Sequence, residues 1–195
     1  MNNEIEATFY DINKDEIRAK LKSVGATLVR PEGLMRRTGY DTGKHSFARV
    51  RDENDKIVMT YKVYSDDTII MGCKEVNLVV DSYEEANKFM EGIGLRVKAS
   101  QESYREVWEL DGVEITIDTW PWIPTYIEVE GSTEDAVWSV SEKLGYKKED
   151  AHFGSVDRVY NHYYGVDMDI VNDATPVINF EIEPPEWAKQ KLSEK

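Results

Sequence analysis

Apolar and polar residues alternate over much of the chain. Phe47 to Arg51 and Ile57 to Val63 place apolar residues at every second position, the spacing of a strand with one buried face. Arg105 to Leu110 and Val113 to Asp118 read as strands on either side of Asp111-Gly112, a pair suited to a two-residue hairpin turn. Asp52 to Asp55 predicts a second hairpin turn. Between these runs a pattern recurs three times: a short strand with polar or acidic residues two apart, then a capped helix closed by glycine. The first copy is Glu4-Ile5-Glu6 with Asn13 as N-cap, Glu16 three residues on, and Gly25 as stop. The second is Glu75-Val76-Asn77, Ser82, Glu85 and Gly94. The third is Glu128-Val129-Glu130, Ser132, Asp135 and Gly145. A side-chain acceptor at the cap and acid in the first turn satisfy the free N–H groups and the dipole of each helix.

Each of these helices carries one apolar stripe: Ile17, Leu21 and Val24, then Ala86, Phe89, Met90 and Ile93, then Val137, Val140 and Leu144. Amphipathic helices of this kind need a sheet to lie on. Roughly eight strands and three helices follow, with a fourth helix from Ser155 to Tyr164 and a short one after Pro185. Hairpins dominate, so the class is α+β with a mostly antiparallel sheet. No Gly/Ser-rich linker divides the 195 residues, a length that suits one domain. The expected division is a main unit over 1–147 and a less regular helical extension over 148–195 packed on it.

Composition narrows the function classes. With 24 Lys+Arg against 38 Asp+Glu, the net charge of −14 argues against long nucleic acids and anionic membranes as partners. The single Cys73 excludes an internal disulfide and a cysteine-based zinc site, and makes a reducing cytoplasm the expected compartment. No apolar run approaches the ~18 residues of a membrane span, and no leader is expected.

Sorting residues by strand face changes what that charge means. Glu4 and Glu6 share a face, as do Arg49 and Arg51, and Val58, Thr60 and Lys62. Glu75 and Asn77 oppose Val76 and Leu78, Thr116 and Asp118 oppose Ile115 and Ile117, and Glu128 and Glu130 oppose Ile127 and Val129. A solvated sheet face mixes charges freely, whereas here paired bases sit on one strand and paired acids on others. Like charges close together on a sheet face repel unless something of opposite sign lies between them. A polyanion carrying a metal supplies both signs: Arg and Lys grip phosphate oxygens, and carboxylates hold Mg²⁺ or Mn²⁺. If the sheet closes into a barrel, these faces become its lining.

On these residues the chain resembles the CYTH superfamily, the triphosphate tunnel metalloenzymes, whose members include class IV adenylate cyclases, thiamine triphosphatases and tripolyphosphatases. Glu4 and Glu6, with Thr8, stand at the family's Glu-x-Glu-x-Lys strand. Arg49-Val50-Arg51 matches its Arg-x-Arg strand, Thr60-Tyr61-Lys62 its Thr-Tyr-Lys strand, and Lys74-Glu75 a basic-plus-acidic strand. Arg105 fits a further basic position, and Ile117 to Gly131 resembles the closing Asp and Glu-x-Glu strands. The resemblance implies a closed eight-stranded antiparallel tunnel with helices outside, binding a small-molecule triphosphate. Carried across, Arg37, Arg49, Arg51, Lys62, Lys74 and Arg105 bind phosphate. Glu4, Glu6, Glu75, Asp118, Glu128 and Glu130 hold Mg²⁺ or Mn²⁺. The implied activity is metal-dependent hydrolysis of a triphosphate, with cAMP formation from ATP and binding without catalysis as alternatives, by a monomer or homodimer. Thr8 stands where the family has a lysine thought to help orient the attacking water, and it supplies no cation.

Other features fit blander roles. Trp120 and Trp122 beside Pro121 and Pro124 read as a plug at a barrel rim, with ring stacking on a substrate as the alternative. His45, His152 and His162 share no metal-ligand spacing, and Cys73 reads as a small strand residue.

Overall fold

The computed structural model describes residues 1–66 and 68–192, apart from the side chains at 168, 169 and 190–192. The chain opens with β1 (Asn2–Glu4), β2 (Glu6–Phe9) and α1 (Lys14–Ser23). It continues through β3 (Thr27–Asp41), β4 (Ser46–Asp52), β5 (Ile57–Tyr64), β6 (Cys73–Val80) and α2 (Tyr83–Gly92). Next come β7 (Arg96–Leu110), β8 (Val113–Thr119), β9 (Tyr126–Glu130) and α3 (Glu134–Leu144). A 3-10 turn over Lys148–Asp150 precedes α4 (Val156–Tyr164), α5 (Met168–Asp173), β10 (Val177–Ile178) and α6 (Glu186–Leu192).

The strands form one sheet in the order β1-β6-β5-β4-β3-β7-β8-β9-β2, and its two ends are consecutive in the chain. The sheet therefore returns on itself as an antiparallel barrel. It has nine strands rather than the eight expected, because the N-terminal strand is interrupted at Ile5. One short strand cannot follow two diverging neighbours along its whole length. Its first half keeps β6 (Glu4 opposite Cys73), and its second half keeps β9 (Glu6 opposite Glu130). Beside β2, where β6 no longer reaches, main chain from elsewhere fills in. Glu6 N donates to Ile70 O at 3.3 Å, and Thr8 and His152 exchange two 2.9 Å bonds.

Period-2 alternation sends one face of most strands outward into apolar packing, whereas the outer face of β6, with Val76 and Leu78, is exposed. Ala7, Phe9, Ile115, Ile117, Ile127 and Val129 meet Ile17 and Leu21 of α1 and Val137, Val140 and Leu144 of α3. On the far side Tyr40, Ala48 and Val50 meet Ala86 and Met90 of α2. A third cluster joins Trp120, Ile123 and Tyr126 to Val159, Tyr160 and Tyr164 of α4 and to Ile178, and β10 pairs in parallel with β7. The 148–192 stretch thus lies against the barrel. Tyr160 Oη donates to Pro121 O at 2.8 Å, and Trp122 Nε1 donates to Ile182 O at 3.2 Å.

Several local details differ from expectation. β3, fifteen residues long, escapes the alternation rule because Pro31, Gly33 and Gly39 interrupt it, and its pairing with β7 shifts register at Leu28/Arg30, Arg30/Gly33 and Gly39/Tyr40. The third helix is capped by Thr133, whose side chain accepts from Ala136 N at 3.2 Å, not by Ser132. Half of the α2 stripe faces outward: Ala86 and Met90 are buried, while Phe89 and Ile93 are exposed. Among the described residues no helix is long and apolar enough to cross a membrane.

Ile127 is fully buried between β9 and the helices that cover it. Ile127→Ala is expected to cost about 2–5 kcal/mol in urea unfolding, the range for truncating a well-packed core residue. A loss below about 1 kcal/mol would show that this wall does not depend on tight packing.

Candidate active site

The inward faces of the strands enclose a cavity of about 1390 Å³. Residues from the turns at both ends of the barrel, Lys44 and His45 at one and Lys56 and Gly112 at the other, line the same space, so it runs the length of the barrel. Its wall divides by charge. Lys62 on β5, Arg49 and Arg51 on β4, Arg37 on β3 and Arg105 on β7 form one contiguous arc. Glu114 on β8, Glu128 and Glu130 on β9, Glu6 and Glu4 on β2 and β1, and Glu75 on β6 form the other.

The two arcs meet at two boundaries, and at each the directly opposed residues carry opposite charge. At the β5–β6 boundary Lys62 faces Glu75, with Nζ 3.3 Å from Oε2, and Lys62 also binds Glu4. At the β7–β8 boundary Arg105 faces Asp118, with Nε donating to Oδ1 at 2.8 Å, while its Nη2 reaches Glu128 at 2.5 Å. Within the arcs the opposed residues carry like charge: Arg37 faces Arg51, and Glu130 faces both Glu6 and Glu114. Like charges directly opposite destabilise a sheet.

The titration behaviour follows this layout. Burial, with the carboxylates of Glu128 and Glu4, pushes the Glu6 carboxyl well above its usual range. Burial and Glu4 push Glu130 up to about 7. Burial outweighs Arg105 at Glu128, which is also raised. Burial would raise Glu4 as well, but Lys62 holds it low. On the basic arc, burial and the neighbouring Arg51, Arg49 and Arg105 depress Arg37 far below an ordinary guanidinium. Burial with Arg49 and Arg105 brings Arg51 to about 10. Each arc is therefore short of opposite charge at its centre.

The expected site residues separate accordingly. Glu4, Glu6 and Glu130 bring carboxylate oxygens within 4.8 Å of one another, a spacing that suits a shared cation. Glu128 lines the cavity but is engaged by Arg105. Glu75 is held by Lys62 and by Asn77, whose Nδ2 donates to it at 2.5 Å while its Oδ1 accepts from Thr60 at 2.7 Å. Asp118, expected as a metal ligand, is fully buried behind Arg105 and also accepts from Thr116 Oγ1 at 2.6 Å. Its place is that of a support for Arg105. Arg37, Arg49 and Arg51 each keep a buried Nε with no hydrogen-bond partner. Arg37 donates through Nη2 to the buried Ser103 and lies 4.3 Å from the Trp120 ring centroid.

One expected residue falls elsewhere. Lys74 is exposed on the outer face of β6, the face of Val76 and Leu78, and so cannot join Glu75 inside. Thr8 shares the inward face of Glu6, opposite Glu128, and is buried there with its main chain tied to His152. Trp120 lines the cavity and stacks on Arg37, so it does more than plug a rim. His152 stacks on Tyr10 at 3.9 Å and faces His162 at 5.3 Å. Sequence reasoning missed Glu53, Gln101 and Ser103. All three lie at even spacings from named residues, Glu53 two after Arg51, and Gln101 and Ser103 four and two before Arg105. Extending the period-2 rule past the strand ends would have found them.

The CYTH domain family profile matches residues 2–160, and the chain belongs to that family. Among solved structures, the PH1012 protein of Pyrococcus horikoshii is 23% identical, with a TM-score of 0.67 over 76% of this chain and 94% of that one. A candidate adenylate cyclase of Vibrio parahaemolyticus is 14% identical, with a TM-score of 0.66 over 82% and 98%. A candidate adenylyl cyclase of Hippeastrum, reported to have a dominant triphosphatase activity, is 16% identical, with a TM-score of 0.53 over 85% and 98%. These likenesses establish the fold. No curated protein matches the chain in sequence at a significant level.

A carboxyl raised on folding holds its proton more tightly in the folded chain than in the unfolded one. Protons are then bound preferentially by the folded state between the two values, and stability falls as pH rises through that window. For Glu130 the window runs from 4.5 to about 7. Metal-free protein, unfolded by urea at a series of pH values, is expected to lose stability across it, with a shallower loss in Glu130→Gln. Equal slopes in the two proteins would show that Glu130 is not held protonated.

Proposed function

We propose that this protein is a metal-dependent phosphohydrolase that acts on a triphosphate held lengthwise along the basic arc. The observation that carries the reading is the set of buried, unpartnered Nε donors on Arg37, Arg49 and Arg51, facing a group of close carboxylates across the same tunnel. Phosphate oxygens would satisfy those donors and relieve the Arg37–Arg51 opposition. The substrate class is a small triphosphate: inorganic tripolyphosphate, thiamine triphosphate or a nucleoside triphosphate.

Glu4, Glu6 and Glu130 fit a hard divalent cation such as Mg²⁺ or Mn²⁺. Such an ion would neutralise phosphate oxygens and remove the mutual repulsion that raises Glu6 and Glu130. This chemistry asks for no protein nucleophile, since water supplies the attacking oxygen. Arg37 and Arg49 bind the chain, and Asp118 keeps Arg105 aimed inward. Thr8 supplies no cation, so Lys62, between Glu4 and Glu75, is the lysine that takes over orientation of the water beside the acids. The dominant triphosphatase activity of the Hippeastrum relative supports hydrolysis over cyclisation. The acidic exterior and single buried thiol suit a reducing cytoplasm.

Tripolyphosphate, thiamine triphosphate and ATP, each with Mg²⁺ or Mn²⁺, are the substrates to try. Phosphate release from at least one is expected, together with a loss on the order of 100-fold or more in Arg49→Ala, comparable to removing an anion-stabilising donor. Release from none overturns the reading, and cAMP as the main product of ATP replaces it with a cyclase.

A further inference from the structure

Glu53 is a buried acid within the basic arc. Glu53 follows β4 and shares the inward face of Arg49 and Arg51, and it lines the cavity although it belongs to the hairpin turn. That turn is tightly built. Asp52 Oδ1 accepts from Asn54 N at 3.0 Å, Asn54 is left-handed at φ 72°, and Glu53 N donates to Lys56 O at 2.9 Å. An exposed hairpin turn ordinarily leaves its glutamate in solvent, yet Glu53 is only 2% exposed.

Both oxygens of Glu53 are engaged by cations. Oε1 binds Arg51, while Oε2 accepts from Arg30 Nη1 at 3.0 Å and lies 3.5 Å from Lys56 Nζ. Arg30 is bound a second time by Asp55 at 2.5 Å. Although burial opposes it, the surrounding Arg51, Lys56 and Arg30 hold the Glu53 carboxyl down at about 2, so it stays ionised. The track for anions therefore changes character at this residue. On one side lie Arg37 and Arg49, whose Nε donors are unpartnered, and on the other lie Arg30 and Lys56, already neutralised by Glu53 and Asp55.

We propose that Glu53 is the end stop of the anion track and determines how long a phosphate chain the tunnel accepts. The inference rests on the triphosphate reading above. A short chain lies against Arg37, Arg49 and the inner side of Arg51. A longer chain that runs toward the Lys56 end continues past Arg51, where it meets a buried carboxylate and must break the Glu53 pairs with Arg51 and Arg30 before gaining any cation of its own. Without the carboxylate, Arg51 and Lys56 are freed for phosphate, while Arg30 keeps its pair with Asp55. Glu53 is thus a specificity residue that need not touch a triphosphate.

The test measures binding rather than turnover. Calorimetric titration with Mg²⁺ present compares tripolyphosphate with long-chain polyphosphate on wild type, Glu53→Gln and Lys56→Glu. In Glu53→Gln the preference for the short chain is expected to narrow about tenfold, the scale of one partly screened charge, through tighter binding of the long chain. Lys56→Glu puts a second acid at the half-exposed rim and serves if Glu53→Gln does not fold. It is expected to weaken long-chain binding and leave tripolyphosphate unchanged. Equal shifts for both lengths in Glu53→Gln, or no length-dependent effect of Lys56→Glu, overturns the end stop while leaving the triphosphate reading intact. Failure of wild type to bind tripolyphosphate defeats that reading and the end stop with it.

Discussion

The opposition of charge across the two boundaries of the tunnel wall is the constraint on which the rest depends. A barrel interior lined by cations alone or anions alone would be driven apart by its own field. Here the strand order puts the basic strands together and the acidic strands together, and each junction is closed by a directly opposed pair, Lys62 with Glu75 and Arg105 with Asp118. The repulsion left at the centre of each arc is unbalanced by anything in the chain. It appears as a lowered Arg37 and a raised Glu6 in the same enclosed space. The fold tolerates this because the outer faces of most of these strands are buried under α1, α2 and α3. Apolar packing outside supports a wall that is electrostatically incomplete inside.

Much of that wall was legible because a strand has a period of two. Glu4 with Glu6, Arg49 with Arg51, and Glu128 with Glu130 could be placed on common faces from spacing alone, and the structure puts all of them on the cavity. Lys74 shows what happens when position in a family pattern is preferred to that rule. It directly precedes Glu75, so the two must point to opposite sides, and Lys74 is outside. β3 was hidden because proline and glycine break its alternation, and its identity as a strand comes from pairing with β4 and β7, which no local pattern records. Glu53 was hidden for the opposite reason. Turn residues are usually solvated, and only three cations brought near by β3 and the hairpin itself explain its burial.

Support for the inward residues comes largely from groups with no charge signature. Ser103 fixes one end of Arg37 and Trp120 covers its face, while Asn77 ties Glu75 to Thr60. The segment after residue 148 reaches the same space. Gln101 on β7 donates to Asn172 at 2.8 Å, and Asn172 in turn donates to Asp157 of α4 at 3.1 Å. These contacts hold side chains in place within a charged interior, where a small displacement changes the local potential steeply.

The interruption of the first strand at Ile5 carries a consequence for how the molecule assembles. Glu4 and Glu6 lie at the very start of the chain, yet one is held beside β6 and the other beside β9. The carboxylate group is therefore a product of ring closure, which brings together residues far apart in sequence at a cost in loop-closure entropy. A chain that has not closed has no such group, so the approach of Glu4, Glu6 and Glu130 to one another marks completion of the barrel.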